Sequence, residues 1–384
     1  METVDLLIQH LAPIKKPLHL HEPWFNEKSW VYVKDCLDSG FVSSVGQYVS
    51  DFERALEKLT GAKHAIAVVN GTAALHMCFK ACDVMENDEV LLPALTFVAT
   101  ANAVKYCGAT PHFVDVARDT LAVDPEALDR YLAENTEIKE GQCINKKTGR
   151  VIKALCVMHV FGHPADLNSL LSLCERYHLQ LVEDAAEGLG SYYKKQHLGT
   201  FGKVGALSFN GNKVLTTGGG GAILTNDDPV AAKLRHITTT AKVPHAWDYY
   251  HDEVGYNYRM PNLNAALGCA QLETLAYMLS MKRKLAKWYQ TILAECAGCE
   301  VLTEPPEAES NYWLNAVILK DESDLVPSIE KLHAEGVFVR PIWKLLHTLP
   351  MYQDCPRMPL PVSEGVVGRI FNLPSGVQLA IDLF

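Results

Sequence analysis

The feature that most constrains the fold is a regular alternation of short apolar runs with helical patterns between about residues 60 and 185. One helix, for example, is predicted to open at Asp124-Pro125, where a capping residue precedes a first-turn proline. This alternation predicts an α/β domain with a largely parallel sheet covered on both faces, whose ligands bind at the carboxyl ends of the strands. The predicted strands are 65–69, 89–93, 112–116, 154–160 and 180–184.

After about residue 260 the pattern changes. A long helix is predicted from Leu263 to about Ala297, and shorter strand-like segments follow it at 313–319 and 337–340. This combination is typical of a smaller α+β domain. The predicted division of the chain is an N-terminal extension at 1–20, a large α/β domain at 21–255 and a small C-terminal domain at 256–384.

Two short segments have simple structural interpretations. A polar stretch at 135–150 predicts an exposed hairpin or loop, and no function is assigned to it. The CxxC pair Cys296 and Cys299 follows helical spacing, which predicts a helix terminus with Gly298 as its stop. Metal or redox use of this pair is the alternative, although the sequence has no second CxxC and no nearby histidine pair.

Composition and charge exclude several classes of protein. The 384 residues include 35 Lys and Arg against 45 Asp and Glu, a net charge of -10, and no basic stripe that could neutralise nucleic-acid phosphates. The most apolar stretch, 90–104, is interrupted by Pro93 and Thr96, so no membrane span is expected. The first 16 residues lack a signal core. Eleven cysteines without a spacing framework predict free thiols, and hence a cytoplasmic enzyme.

The segment Asn70-Gly71-Thr72 follows a predicted strand and opens a helix. Backbone N–H groups and a hydroxyl at such a junction can bind a phosphate, because the helix dipole favours negative charge there. A simple N-cap is the alternative, since Asn, Gly and Thr all serve in that position.

Glu183 and Asp184 end a buried strand at the predicted functional edge of the sheet. A carboxylate there could bind a metal, a ribose hydroxyl or a protonated ring nitrogen, or it could cap the next helix. The absence of GxGxxG after a strand weakens the ribose interpretation, and the absence of HExxH weakens the zinc one. The sequence also lacks a GxxxxGK phosphate loop.

The most unusual stretch runs from Ser208, at the end of a predicted strand, through Lys213 to four consecutive glycines at 218–221. Four glycines are entropically unfavourable to order, so they suggest a close approach of the backbone to another group. A lysine in so crowded a place is a candidate nucleophile that forms a Schiff base. A surface lysine beside a flexible turn is the alternative.

Together these motifs resemble the sugar aminotransferase family of fold-type I pyridoxal phosphate enzymes, which aminates nucleotide-linked ketosugars. The resemblance extends over about residues 20 to 375 and implies an aspartate aminotransferase-like fold with a mixed, mostly parallel sheet in the large domain and a smaller α+β domain. The segments that carry it include NGTAALH, PALTFVATANAVKYCGATPHFVDV, EDAAEGLGS, GTFGKVGALSFNGNKVLTTGGGGAILTND, VGYNYRMPNLNAALGCAQL and RPIWKLLHTLPMYQ.

The resemblance also implies roles for individual residues. Lys213 would form the Schiff base with pyridoxal 5'-phosphate, and Asp184 would pair with the pyridine nitrogen. Phe97 would stack on the ring, although a plain core position is the alternative. Many relatives carry Gln or His where this chain has Glu187, near the ring oxygen, so this carboxyl must share a proton or turn to another donor. The residues implied for the phosphate are Gly71, Thr72 and Ser208.

Three further residues are implied for a homodimer with shared sites. Asn257 would reach the neighbouring subunit's cofactor phosphate, and Arg259 its substrate. His347 would lie in the nucleotide-sugar pocket. Alternatively, Arg259 forms an interface ion pair and His347 is a packed loop histidine. No metal is implied.

The implied reaction is a two-stage transamination. L-glutamate would leave its amino group on the cofactor as pyridoxamine 5'-phosphate, which would then aminate C4 of a nucleotide-linked 4-keto-6-deoxyhexose for surface polysaccharide or glycan synthesis. The Asn210–Lys213 turn, the Gly218–Gly221 run and Trp343-Lys344 resemble the bacillosamine and legionaminic acid branch, which implies UDP-2-acetamido-2,6-dideoxy-4-ketohexose. The alternatives are GDP-4-keto-6-deoxymannose, as in perosamine formation, and a non-catalytic regulatory protein. A related dehydratase would need His in place of Lys213.

Overall fold

A mixed sheet organises the larger part of the computed structural model, which describes residues 2–384. The helices are α1 (Glu2–Leu11), α2 (Glu27–Ser39), α3 (Gln47–Thr60), α4 (Gly71–Ala81), α5 (Val98–Tyr106), α6 (Pro125–Asn135), α7 (Leu167–Arg176), α8 (Asp228–Ile237), α9 (Asn262–Leu272), α10 (Leu275–Ile292), α11 (Leu325–Ala334), α12 (Pro361–Val367) and α13 (Val377–Leu383).

The strands alternate with these helices through the first part of the chain. They are β1 (His64–Val68), β2 (Glu89–Pro93), β3 (Thr110–Val114), β4 (Thr136–Lys139), β5 (Gln142–Asn145), β6 (Val151–Met158), β7 (Gln180–Asp184), β8 (Tyr192–Tyr193), β9 (Gln196–His197), β10 (Val204–Ser208), β11 (Gly221–Thr225), β12 (Cys299–Val301), β13 (Ala308–Glu309), β14 (Asn315–Leu319), β15 (Arg340–Pro341) and β16 (Ile370–Leu373).

The main sheet has the order β1-β11-β10-β7-β6-β2-β3. Neighbouring strands from β10 to β3 are parallel, whereas β11 is antiparallel to both β1 and β10. The predicted α/β architecture with a mostly parallel sheet is therefore confirmed. Strands β2, β10 and β11 are buried at every position, as expected for a sheet with helices on both faces. Because β1 runs in the same direction as β10, the carboxyl ends of all the strands except β11 in this order meet at one edge.

A second, antiparallel sheet has the order β12-β14-β16-β15. Helix α1 packs against α10 and α11, so the N-terminal helix lies on the C-terminal part of the chain. The predicted domain limits at residues 20 and 255 stay predictions. Among residues 2–384, no helix is both long enough and apolar enough to cross a membrane.

The local predictions have mixed outcomes. The 135–150 segment is a hairpin made by β4 and β5, and all eleven cysteines are free thiols, as predicted. The single helix predicted from Leu263 to about Ala297 is wrong, because α9 ends at Leu272 and α10 begins at Leu275. Helix α9 packs on α2 and α3, whereas α10 packs mainly on α13. The two helices therefore bury their apolar faces against different partners and are separate elements. Gly298 is not the helix stop, since α10 already ends at Ile292.

Candidate active site

A cavity of about 350 Å³ opens at the shared carboxyl edge of the main sheet. Its volume suits a small organic ligand, for which pockets of about 300–1,000 Å³ are usual. The cavity brings together most of the residues singled out from the sequence, which are Gly71, Thr72, Phe97, Asp184, Glu187, Ser208 and Lys213.

One end of the cavity is the N-terminus of α4. The Asn70 side chain accepts a hydrogen bond from the Ala73 N–H at 2.8 Å, so the predicted N-cap exists. A Cβ added at Gly71 would lie 2.8 Å from the Cβ of Ser208, so only glycine lets the helix start approach the end of β10 this closely. The hydroxyls of Thr72 and Ser208 line the cavity beside this positive helix end, which suits an anion.

Two of the four glycines at 218–221 pack closely against other residues of the chain, whereas a Cβ at Gly218 or Gly219 would have no neighbour nearer than 4.0 Å. A Cβ on Gly221 would lie 2.6 Å from the backbone carbon of Asn70, and one on Gly220 would lie 2.2 Å from Oγ1 of Thr217. The close approach expected from the sequence therefore fits β11 against the turn that precedes α4. None of these four glycines lines the cavity described above.

The two acids at the end of β7 have different surroundings. The Glu183 carboxylate accepts hydrogen bonds from backbone N–H groups of the 199–202 loop, including Phe201 at 2.6 Å, so it holds that loop. Asp184 instead lines the cavity at 2% exposure and accepts hydrogen bonds from Thr100 Oγ1 at 2.6 Å and from the Ala186 N–H at 3.2 Å. Burial raises the pKa of the Asp184 carboxyl above its ordinary value. No helix follows directly, so Asp184 does not cap one.

Lys213 lies inside the cavity beside Glu187, so it is not the surface lysine of the alternative interpretation. Its Nζ donates to Oε1 of Glu187 at 3.4 Å, and the other carboxylate oxygen accepts from the Phe161 N–H at 2.8 Å. Burial raises the pKa of Glu187 to about 7, while the nearby Lys213 acts in the opposite direction. A carboxyl and an amine thus lie side by side, with side-chain exposures of 2% and 14%.

Aromatic side chains complete the walls. Phe97 is 50% exposed, so it is not a plain core residue, and its ring centroid lies 6.4 Å from that of Trp343. The Nζ of Lys213 lies 3.8 Å from the centroid of the Trp313 ring, and the indole N–H donates to the Asn212 carbonyl at 2.6 Å. Sequence reasoning assigned no role to Trp313 and used Trp343 only in the Trp343-Lys344 pair that resembles the bacillosamine and legionaminic acid branch. Neither tryptophan lies in a local motif that marks a site.

Three predicted residues lie outside this cavity. Asn257 is exposed, and Arg259 lines a different cavity with Phe41 and Tyr48. His347 lies in the turn Leu346–Thr348, with Nε2 3.6 Å from the Glu364 carboxylate. Burial lowers the pKa of His347 below its ordinary value. The structure does not bring these three residues to the cavity of their own chain, and their roles stay predictions.

The groups in the cavity fit pyridoxal phosphate. The Gly71 cradle and its neighbouring hydroxyls suit the phosphate, and the buried Asp184 suits a protonated ring nitrogen. Lys213 supplies an amine for a Schiff base. The part of the chain that the structure describes therefore contains every kind of group that this cofactor needs.

Comparison with known proteins agrees with this fit. Residues 25–382 match the profile of the DegT/DnrJ/EryC1/StrS aminotransferase family. A Bacillus subtilis protein named as a pyridoxal phosphate-dependent aminotransferase, EpsN, is 36% identical over 371 residues, which are 96% of this chain and 93% of that protein. Other matching relatives are GDP-perosamine synthases, among them that of Vibrio cholerae, 36% identical over 94% of this chain and 95% of the synthase.

The solved structures give the same result. A DegT DnrJ EryC1 StrS aminotransferase from Brucella abortus is 29% identical and superposes with a TM-score of 0.82 over 93% of this chain and 94% of that one. The fold-type I architecture implied by the resemblance is therefore confirmed.

Proposed function

The chain belongs to the DegT/DnrJ/EryC1/StrS aminotransferase family and is a pyridoxal phosphate-dependent sugar aminotransferase, and from this premise we propose that it moves the amino group of L-glutamate to C4 of a GDP-linked 4-keto-6-deoxyhexose. The observation that carries the choice of sugar is the identity of 34–36% to GDP-perosamine synthases over at least 91% of this chain. The UDP-linked 2-acetamido sugar, favoured by local motifs, becomes the second candidate.

When bound, the cofactor supplies an aldehyde carbon that exchanges an amino group and a ring that takes up the electron pair left on the α-carbon. Lys213 is the proposed general base and acid, because its Nζ is the amine inside the cavity. It takes the proton from the α-carbon of glutamate and, in the second stage, returns a proton to C4 of the sugar.

Asp184 is the proposed partner of a protonated ring nitrogen. A carboxylate at 2% exposure is poorly solvated, so a cation beside it restores the charged form that burial disfavours. The hydroxyl of Thr100 donates to the same carboxylate, and it fixes the orientation of Asp184 in the cavity. Gly71, Thr72 and Ser208 hold the phosphate at the N-terminus of α4.

Glu187 is proposed to share the proton of Lys213. The two groups are 3.4 Å apart, and the pKa of this carboxyl, about 7, lies close to neutral pH. A carboxyl that is half protonated near neutrality can accept the ammonium proton and leave the amine free to act as a base.

The site is proposed to need a second copy of the chain, whose Asn257 would reach the cofactor phosphate and whose Arg259 would reach the substrate. Asn257 and Arg259 lie outside the cavity of their own chain, and a homodimer would bring them to the neighbouring one. His347 is proposed to contact the nucleotide sugar.

The test is the isolated second stage. The protein is converted to its pyridoxamine phosphate form and mixed with GDP- and UDP-linked 4-keto-6-deoxyhexoses, and the recovery of the aldehyde form is followed by absorbance. We expect the GDP sugar to react at least tenfold faster, which corresponds to a difference of about 1.4 kcal/mol or more in free energy between the two sugars. Faster turnover of the UDP sugar would overturn the substrate, and no reaction with any ketosugar would overturn the activity.

A further inference from the structure

A lysine outside the cavity is buried against the backbone of a residue that contacts Lys213. Lys282, on α10, has an exposure of 0%. Its Nζ donates to the Ser375 carbonyl at 2.6 Å and to the Trp313 carbonyl at 3.1 Å, and it lies 2.9 Å from Nε2 of His21. Three distant segments of the chain thus converge on one amine.

The number of partners matches the chemistry of an ammonium group. A lysine ammonium has three N–H donors and no acceptor, and here it faces three atoms able to accept. The titratable groups that face one another here are Lys282, His21 and, more distantly, Lys213. Burial and, after it, the charges of the two lysines lower the pKa of His21, which favours the neutral imidazole that can accept from Lys282. The position of Lys282 is therefore defined by directed hydrogen bonds.

Trp313 connects this buried amine to the cavity. Its carbonyl accepts from Lys282, while its indole N–H donates to the Asn212 carbonyl at 2.6 Å and its ring lies 3.8 Å from the Nζ of Lys213. The backbone of Trp313 is held from one side, and its side chain holds the Asn212-Lys213 turn.

Stability alone is a poor reason for such a residue. Burial lowers the pKa of Lys282 to about 7, which shows that the charged form is disfavoured at this position. Apolar residues of similar volume often replace buried charged groups without loss of stability. Lys284, two residues along the same helix, is exposed and has the ordinary environment of a helical lysine.

We propose that Lys282 is a positioning residue that fixes the backbone of Trp313 and, through the indole, orients Lys213 for covalent capture of the cofactor. This proposal rests on the proposed role of Lys213 as the capturing amine. It predicts that the effects of changing Lys282 and Trp313 on capture are not independent.

The experiment follows the absorbance change when pyridoxal phosphate is added to cofactor-free protein, so that no turnover is needed. Lys282→Met and Trp313→Phe are each expected to slow capture about tenfold, and the double variant is expected to be no slower than the slower single variant. Lys284→Met is the matched control on the same helix and should capture at the wild-type rate. Thermal melting shows that each variant is folded.

Capture by Lys282→Met at the wild-type rate, or two tenfold effects that multiply in the double variant, would overturn the proposal. If Lys282→Met does not fold, His21→Ala removes one acceptor of the amine instead. It is then expected to slow capture about threefold, and this effect should disappear in the Trp313→Phe background. Failure of wild-type Lys213 to capture the cofactor would be a different result, because it would overturn the proposed function itself.

Discussion

A single chain buries and pairs the side chains on the floor of the cavity more fully than those of the 238–259 segment. The floor consists of Asp184, Glu187 and Ser208, which are all buried, and Asp184 and Ser208 end strands β7 and β10 at the sheet edge. In the 238–259 segment, by contrast, Trp247 is 82% exposed. The Nε of Arg259, the last residue of the segment, is buried and has no hydrogen-bond partner within residues 2–384. This difference agrees with the proposal that one chain supplies most of the cofactor site, while Asn257 and Arg259 act in the site of a second copy.

The largest effect is expected when the amine of Lys213, beside the floor of the cavity, is removed. Lys213→Ala should lower kcat by about 10³- to 10⁴-fold or more, because the same amine is proposed to be both the covalent anchor and the proton carrier. Steady-state transamination with glutamate measures it. Lys287→Ala, an exposed lysine on α10, is the control and should keep full activity. Retention of more than a tenth of the activity by Lys213→Ala would assign the chemistry to another residue.

The next largest effect is expected from a substitution at Arg259, in the 238–259 segment. Arg259→Ala should lower kcat/KM for the nucleotide sugar by about 10- to 100-fold, because a charged contact to the substrate is lost. When Arg259→Ala and Lys213→Ala chains are co-expressed in equal amounts, the whole population should regain about a quarter of the wild-type activity, since about half of the dimers are mixed and each mixed dimer contains one intact site of two. If the mixture stays inactive while mixed dimers form, the two residues act within one chain, and Arg259 does not serve the site of a second copy.

A smaller effect is expected from disturbing the close packing of Gly71, at the start of α4, against Ser208. Gly71→Ala should weaken cofactor binding about tenfold and destabilise the fold by roughly 1–3 kcal/mol, because the new Cβ forces α4 away from β10. Spectroscopic titration and thermal melting measure the two effects. Gly211→Ala is the matched control beside the same cavity, since a Cβ there has no neighbour within 4 Å. Equal behaviour of the two variants would contradict a phosphate site at the start of α4.

The last effect is on stability alone and concerns Glu187 in the cofactor-free protein. Its folded-state pKa of about 7 lies above the ordinary value of 4.5, so the folded protein binds more protons than the unfolded chain between these two pH values. The stability that this group contributes is therefore complete below pH 4.5 and is lost as the pH rises through 7.

Glu187→Gln removes this dependence. Relative to wild type, the variant should gain roughly 2–3 kcal/mol of unfolding free energy between about pH 4.5 and pH 8. Denaturant unfolding at several pH values measures the difference, with the exposed Glu175→Gln as control. A difference that does not change with pH would show that Glu187 titrates as an ordinary surface carboxyl.

Much of the fold could be predicted because it is encoded locally. The predicted strands 89–93 and 180–184 match β2 and β7, and the other three differ at their ends by up to three residues. Buried β-branched runs bounded by turn residues mark such strands in a single sequence. The same locality explains Gly71, Asp184, Ser208 and Lys213, since each of them follows or ends a predicted strand.

The remaining parts of the site depend on tertiary packing. Trp313 lies 100 residues after Lys213 in the sequence and reaches it only because the C-terminal part of the chain docks on the main sheet. Lys282 lies in a helical pattern in which a lysine normally predicts an exposed face, yet it is fully buried. The break between α9 and α10 has the same origin, because the two helices face different partners.

The central claim is that the amine of Lys213 is the group joined to the cofactor. Borohydride reduction of the protein loaded with pyridoxal phosphate, followed by peptide mapping, tests it directly. We expect one phosphopyridoxyl label, on the peptide that contains Lys213. A label on any other lysine, or an active enzyme that carries no label at Lys213, would contradict it.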